Sequence, residues 1–184
     1  MTPERTSSRL RGLRIGAALF VGIAIGNIFI LQPVKGRSMS TDIERNKEVA
    51  RRWSEELWGR GNLAAADEII SSDYVRHDPG DPFPAHGPED VKRIVTMLRA
   101  MLPDLRIEVE AMVAEGDLVV SRYTATGTDT VGFMGMAPTG KTIRTPAIQM
   151  FRFANGKIVE SWAARDDLGT LRQLGHWPPT PKDR

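Results

Sequence analysis

Apolar positions along the chain change period at about residue 105. From Ile43 to Leu57 they recur at helical spacing, with Ile43, Ala50, Trp53 and Leu57 on one face. Thr41-x-x-Glu44 reads as a capping box and predicts the start of that helix. Gly59 and Gly61 end it, and Asn62 reads as the cap of a second short helix from Leu63 to about Ile70. Ser71 to His77 reads as an extended segment. Residues 78–87 form a loop, because Pro79, Pro82, Pro84, Gly80 and Gly87 break regular structure. Pro88 suits the first turn of a third helix, whose apolar face is Val91, Ile94, Val95 and Leu98, and Pro103 stops it. The period then becomes two. Leu105, Ile107, Val109, Ala111 and Val113 alternate with Arg106, Glu108 and Glu110, the mark of a half-buried strand. Glu115-Gly116-Asp117 is a turn, and Leu118 to about Thr128 is the partner strand. A loop over residues 129–141 leads to a long strand, Thr142 to Ala154. Asn155-Gly156 is a hairpin signal, and the last strand runs from Lys157 to about Arg165. Asp166 to Leu174 suits a short helix closed by Gly175, with residues 176–184 as a frayed tail. Helices followed by a run of antiparallel strands place the domain, residues 41–175, in the α+β class. A curved sheet wrapped on helices leaves a concave face for a core or a pocket.

Residues 1–38 follow a different rule. Arg9, Arg11 and Arg14 precede a run over residues 15–31 that is apolar apart from glycines and Asn27. That layout is expected of a signal anchor or an export signal, and the same residues also read as an over-extended start before Met39. A membrane tether through residues 15–31 is the first expectation. It makes the protein membrane-anchored or exported if those residues are translated, and cytoplasmic otherwise. Charge follows the same division. Residues 1–38 hold six basic residues against Glu4, a net of +5, whereas the whole chain carries +2 and the remainder therefore −3. The basic pI belongs to the leader, so a nucleic-acid-binding face is not expected on the domain. The chain has no cysteine, which excludes disulfides, thiolate nucleophiles and cysteine-ligated metals. His77, Asp78, Asp81 and His86 fit no standard ligand spacing, so no metal is expected.

Alternation on the last strand puts Ile158, Glu160, Trp162 and Ala164 on one face, joined by Asp166 if the strand persists. A carboxylate beside a tryptophan in an apolar cleft has its charged form disfavoured, and becomes a general acid or base near neutral pH. From the residue pattern alone, the cap of the terminal helix is the first reading of Asp166 and the acid/base the second. Asp167 is its solvated neighbour, and Glu160 either lines a pocket mouth or forms a surface pair. His77, at the end of an extended segment, suits proton transfer or a bond to backbone.

The ordered segments resemble the SnoaL-like polyketide cyclase family, also termed ester cyclases, of the nuclear-transport-factor-2-like superfamily. The resemblance spans about residues 46–175. It is carried by Val49-Ala50-Arg51-Arg52-Trp53, Tyr74-Val75-Arg76-His77-Asp78-Pro79 and Arg122-Tyr123-Thr124-Ala125-Thr126-Gly127-Thr128. Further on come Phe133-Met134-Gly135, Pro138-Thr139-Gly140, Phe151-Arg152-Phe153, Trp162-x-x-x-Asp166 and Gln173-Leu174-Gly175. It implies a cone-shaped fold, a strongly curved antiparallel sheet packed on about three helices around an apolar pocket. It also implies aldol ring closure without metal or cofactor, Asp166 as the acid/base and His77 lining the pocket. Trp162, Met150 and Phe133 then supply walls. Many relatives carry histidine where this chain has Asp129 in Gly127-Thr128-Asp129, so any role of that histidine is absent or changed. The expected partners are a small hydrophobic molecule and a second copy of the chain. Competing readings are a binding module that holds an apolar ligand without chemistry, and an interaction domain whose own side chains fill the pocket.

Overall fold

The computed structural model describes residues 20–25, 28–33, 39–133 and 135–177. The chain divides into two compact units, residues 1–37 and 38–184. In the first, β1 (Phe20–Ile25) pairs antiparallel with β2 (Ile28–Pro33), Phe20 opposite Pro33 and Ile25 opposite Ile28. The anchor expected over residues 15–31 falls partly outside the described residues. Among those described, no helix is long and apolar enough to cross a membrane.

The second unit opens with α1 (Met39–Arg52), which runs into a π-helical segment, Trp53–Gly59. The helix starts two residues before Thr41, so Thr41 and Glu44 lie inside it and form no capping box. The π segment was not legible in the pattern. Its wider winding, seen in the bond from Arg60 N to Glu55 O at 3.0 Å, turns Trp53, Ser54, Leu57 and Trp58 together toward the interior. α2 (Ala64–Ile69) follows, and Asn62 contributes its backbone carbonyl to Ala65 N at 3.1 Å rather than a side-chain cap. Next come β3 (Ile70–His77), the two-residue β4 (Ala85–His86) and α3 (Gly87–Met101). The remainder is β5 (Arg106–Glu115), β6 (Leu118–Thr128), β7 (Thr142–Ala154), β8 (Lys157–Arg165) and α4 (Asp167–Leu174).

These strands form one curved, open six-stranded sheet in the order β4-β3-β8-β7-β6-β5. It is mixed rather than purely antiparallel, because β3 lies parallel to β8. Bounds of β6, β7 and β8 match those expected from the alternation. The β7–β8 turn places Asn155 at φ 53° and Gly156 at φ 79°, the left-handed pair that a two-residue hairpin requires. Trp53 anchors the core under the concave face. Its ring centroid lies 5.8 Å from that of Tyr74 and 5.6 Å from that of Phe151.

Two bulges change which side chains face that core. In β5 the register against β6 slips between Val109 and Ala111. Met112 and Ala114 therefore pack inward, and Val113 is 66% exposed, against the simple alternation. In β8 the register against β7 slips between Arg152 opposite Glu160 and Phe153 opposite Ile158. Ile158 is buried, but beyond the slip the inward residues are Ser161, Ala163 and Arg165. Glu160, Trp162 and Ala164 turn to the outer face.

Candidate active site

A cavity of about 380 Å³ lies between α3 and the concave face of the sheet. Ile94, Met97 and Met101 of α3 form one wall, and Ala125 and Ile143 of the sheet form the other. Trp58, delivered by the π segment, and Phe133, from the loop after β6, complete the apolar lining. A smaller chamber of about 50 Å³ adjoins it and shares Trp58, Leu98, Leu105, Ala125 and Arg165 with it. Arg76, Tyr123 and Gln149 add polar surface to the smaller chamber.

The polar wall of the cavity is a chain of ion pairs. Arg76 follows Tyr74 by two on β3 and so points inward. Its side chain is 4% exposed, its Nε donates to Asp81 Oδ2 at 2.7 Å, and its Nη2 donates to Asp78 Oδ2 at 2.7 Å. Asp78 Oδ2 also accepts from Arg165 Nη1 at 2.6 Å, and Arg165 Nε reaches Asp167 Oδ1 at 3.3 Å. Burial alone would lower the pKa of Arg76. The neighbouring Tyr74, Asp81 and Asp78 more than offset it, and the guanidinium stays charged. Asp81 behaves differently. Burial raises its carboxyl above the ordinary range, and the Arg76 charge only partly opposes this. Burial likewise raises the Tyr123 hydroxyl, which stays protonated and able to donate. The turn that presents Asp81 is held by Asp78, whose Oδ1 accepts from Gly80 N at 3.0 Å. A side chain at residue 80 would collide with Arg165 Nη2, so glycine permits the ion pair behind it.

The expected site residues fall in three places. Phe133 lines the cavity. His77, Trp162, Glu160 and Met150 lie together on the outer face of the sheet, where His77 and Met150 both pair with Trp162. There the His77 ring stacks on Trp162 at 5.3 Å and 14°, and Nε2 meets Glu160 Oε1 at 2.9 Å. Glu160 also accepts from Arg152 Nε at 3.1 Å, and its pKa is lowered first by the His77 bond. Asp166 is exposed and caps α4, its Oδ1 accepting from Gly169 N at 2.7 Å. Asp166 and His77 therefore do not face one cavity. Trp162 and Asp166 do share strand parity, but the bulge in β8 assigns that parity to the outer face. Asp167, expected in solvent, lines the cavity wall together with Asp81.

Asp129 is fully buried, and its Oδ1 accepts from Gly132 N at 2.9 Å while Oδ2 accepts from Thr139 N at 2.8 Å and Thr139 Oγ1 at 2.9 Å. It folds the loop that delivers Phe133. At this position the chain thus has a loop organiser. Among the described residues, no group of three or more His, Asp or Glu side chains is placed to hold a metal ion. Arg76, Asp81 and Arg165 were missed by sequence reasoning because charged residues are ordinarily assigned to solvent. The available signal was alternation from Tyr74, which already points Arg76 inward.

Comparison with known proteins bears on this site. The family described as SnoaL-like polyketide cyclase matches residues 48–174. The chain belongs to that family. It is 28% identical over 146 residues to the aklanonic acid methyl ester cyclase DnrD of Streptomyces peucetius, covering 78% of this chain and 97% of DnrD. It resembles the solved structure of a candidate polyketide cyclase from Acidithiobacillus ferrooxidans, with 31% identity and a TM-score of 0.66, over 72% of this chain and 95% of that one. IdmH from Streptomyces antibioticus is similar at 32% identity and a TM-score of 0.63, over 71% and 98% of the two chains.

Proposed function

We propose that this SnoaL-like domain is a cyclase-type enzyme, an isomerase or lyase by kindred chemistry, that works without a cofactor on a small, mostly apolar carbonyl compound held in the 380 Å³ cavity. The observation that carries the proposal is the place of Asp81, a carboxylate on the wall of the apolar cavity, held by Arg76 Nε at 2.7 Å and with its pKa raised by burial. Asp81 removes a proton from carbon beside a carbonyl, and the electron pair moves onto the carbonyl oxygen as an enolate. The enolate carbon then attacks a second carbonyl of the same molecule. A ring C–C bond forms, and the new alkoxide takes the proton back from Asp81. Protonation of Asp81 frees part of the Arg76 charge to offset the enolate, and the apolar lining excludes water.

A ligand-holding role without chemistry is the second reading. It is favoured by Asp166 being engaged as a helix cap and by Asp129 being engaged in its loop. Both readings are separated by turnover of aklanonic acid methyl ester, the compound in the names of curated relatives, with wild type, Asp81→Asn and Asp166→Asn. The enzyme reading expects turnover by wild type, loss of at least about 100-fold in Asp81→Asn with the fold retained, and a small change in Asp166→Asn. Loss in Asp166→Asn alone would move the proton transfer to Asp166. Binding without turnover by wild type for this and related esters would favour the second reading.

A further inference from the structure

The small chamber beside the cavity is lined by two residues that each carry a donor without a hydrogen-bond partner. Trp58 Nε1 and Arg76 Nη1 are buried and unpartnered, on residues that are 6% and 8% exposed. Both residues line that chamber, and Trp58 lines the main cavity as well. The Arg76 guanidinium carbon lies 5.0 Å from the Trp58 ring centroid, so the two donors belong to neighbouring groups. The other Arg76 nitrogens are taken by Asp81 and Asp78. The Tyr74 hydroxyl bonds Ser161 Oγ at 2.6 Å and also makes a side-chain contact with the Arg76 guanidinium, but that contact gives Nη1 no hydrogen bond of its own. Folded proteins rarely leave buried donors idle, and those that remain call for an explanation in function or hydration.

We propose that Trp58 Nε1 and Arg76 Nη1 together hold a neutral carbonyl oxygen of the ligand where the small chamber adjoins the cavity, and thereby select esters and ketones over free carboxylates. The inference rests on the reading that the cavity binds an apolar carbonyl compound. Charge decides between the two classes of acceptor. Arg76 and Arg165 are already shared among Asp78, Asp81 and Asp167, three carboxylates to two guanidiniums. No positive charge is left uncommitted for a ligand carboxylate, which would also meet like charges at close range. A carbonyl oxygen needs only donors, and two are present. During enolisation the same donors face the oxygen on which charge develops.

Calorimetric titration of the full chain at pH 7 with methyl 2-naphthoate, 2-ethylnaphthalene and 2-naphthoate tests the pair. Wild type is expected to bind the ester at least about five-fold more tightly than the hydrocarbon, and the carboxylate most weakly. Trp58→Phe keeps an aromatic ring and removes one donor. It should weaken the ester about five-fold and the hydrocarbon less than about two-fold, the difference being the worth of one hydrogen bond. Arg76→Lys, which keeps the charge, provides a second variant and should show the same differential. An ester preference unchanged in Trp58→Phe, with 2-ethylnaphthalene still bound, overturns the donor pair alone. Tighter binding of the carboxylate than of the ester also overturns it. If none of the three probes binds wild type, the cavity reading fails and the donor pair with it.

Discussion

Removal of the Asp78 carboxylate should be among the most damaging single changes in the polar wall. In Asp78→Ala the side chain that accepts from Arg76, Arg165 and the Gly80 amide is lost. The Arg76 and Asp78 side chains are 4% and 3% exposed, so water does not readily replace the lost partner. Arg165 is 25% exposed and recovers hydration, so its share of the cost is screened. Breaking a buried pair from one side costs about 3–5 kcal/mol. Because Asp81 still holds Arg76, the lower part of that range, about 3–4 kcal/mol, is expected. For a chain of this size that corresponds to a fall in Tm of roughly 6–16 °C. Asp78→Asn keeps an acceptor for the Gly80 amide and should lose about half as much. Denaturant titration followed by far-UV circular dichroism reads both variants. A loss under about 1 kcal/mol in Asp78→Ala would show that Arg76 reaches water and that the network is worth no more than a surface ion pair.

Asp129→Ala leaves three loop donors without their acceptor and should cost about 2–4 kcal/mol by the same titration. Burial alone would raise the pKa of Asp129, but its bonds from Thr139 and Gly132 outweigh burial and lower it. Its contribution is therefore fully present above about pH 4 and is lost as pH falls through the folded-state value. Asp129→Asn should accordingly flatten the acid limb of the stability profile, and an unchanged limb would contradict the assignment. Gly156→Val forces a β-branched residue to φ 79° and should cost about 1–3 kcal/mol, whereas Asn155→Gly should change stability by under about 0.5 kcal/mol.

The strands were legible because a sheet with one buried face imposes a period of two, and β6, β7 and β8 obey it for most of their length. Which face is buried was harder to read. A bulge adds one residue and inverts the parity beyond it, and neither the slip near Ala111 nor the one between Ile158 and Glu160 leaves a glycine or proline as a marker. The inversion in β8 is why Trp162 and Glu160 were expected at the pocket and stand outside it. The site itself was legible only through Phe133 and the expectation of an apolar concavity. Its polar wall is built from residues that propensity assigns to solvent. Their burial depends on pairing between β3, the loop after it and the end of β8, which no local pattern records. The π segment is a similar case, since its sequence suits an α-helix and its winding is set by the packing of Trp53 and Trp58.

A crystal structure with methyl 2-naphthoate bound decides whether the cavity is the ligand site. The naphthalene ring is expected between α3 and Ala125, with the ester oxygens at the polar wall, one of them within about 3.2 Å of Trp58 Nε1 or Arg76 Nη1. Density for the ester over the His77–Trp162 face, or beside the Asp166 cap, with the cavity unchanged would contradict that placement.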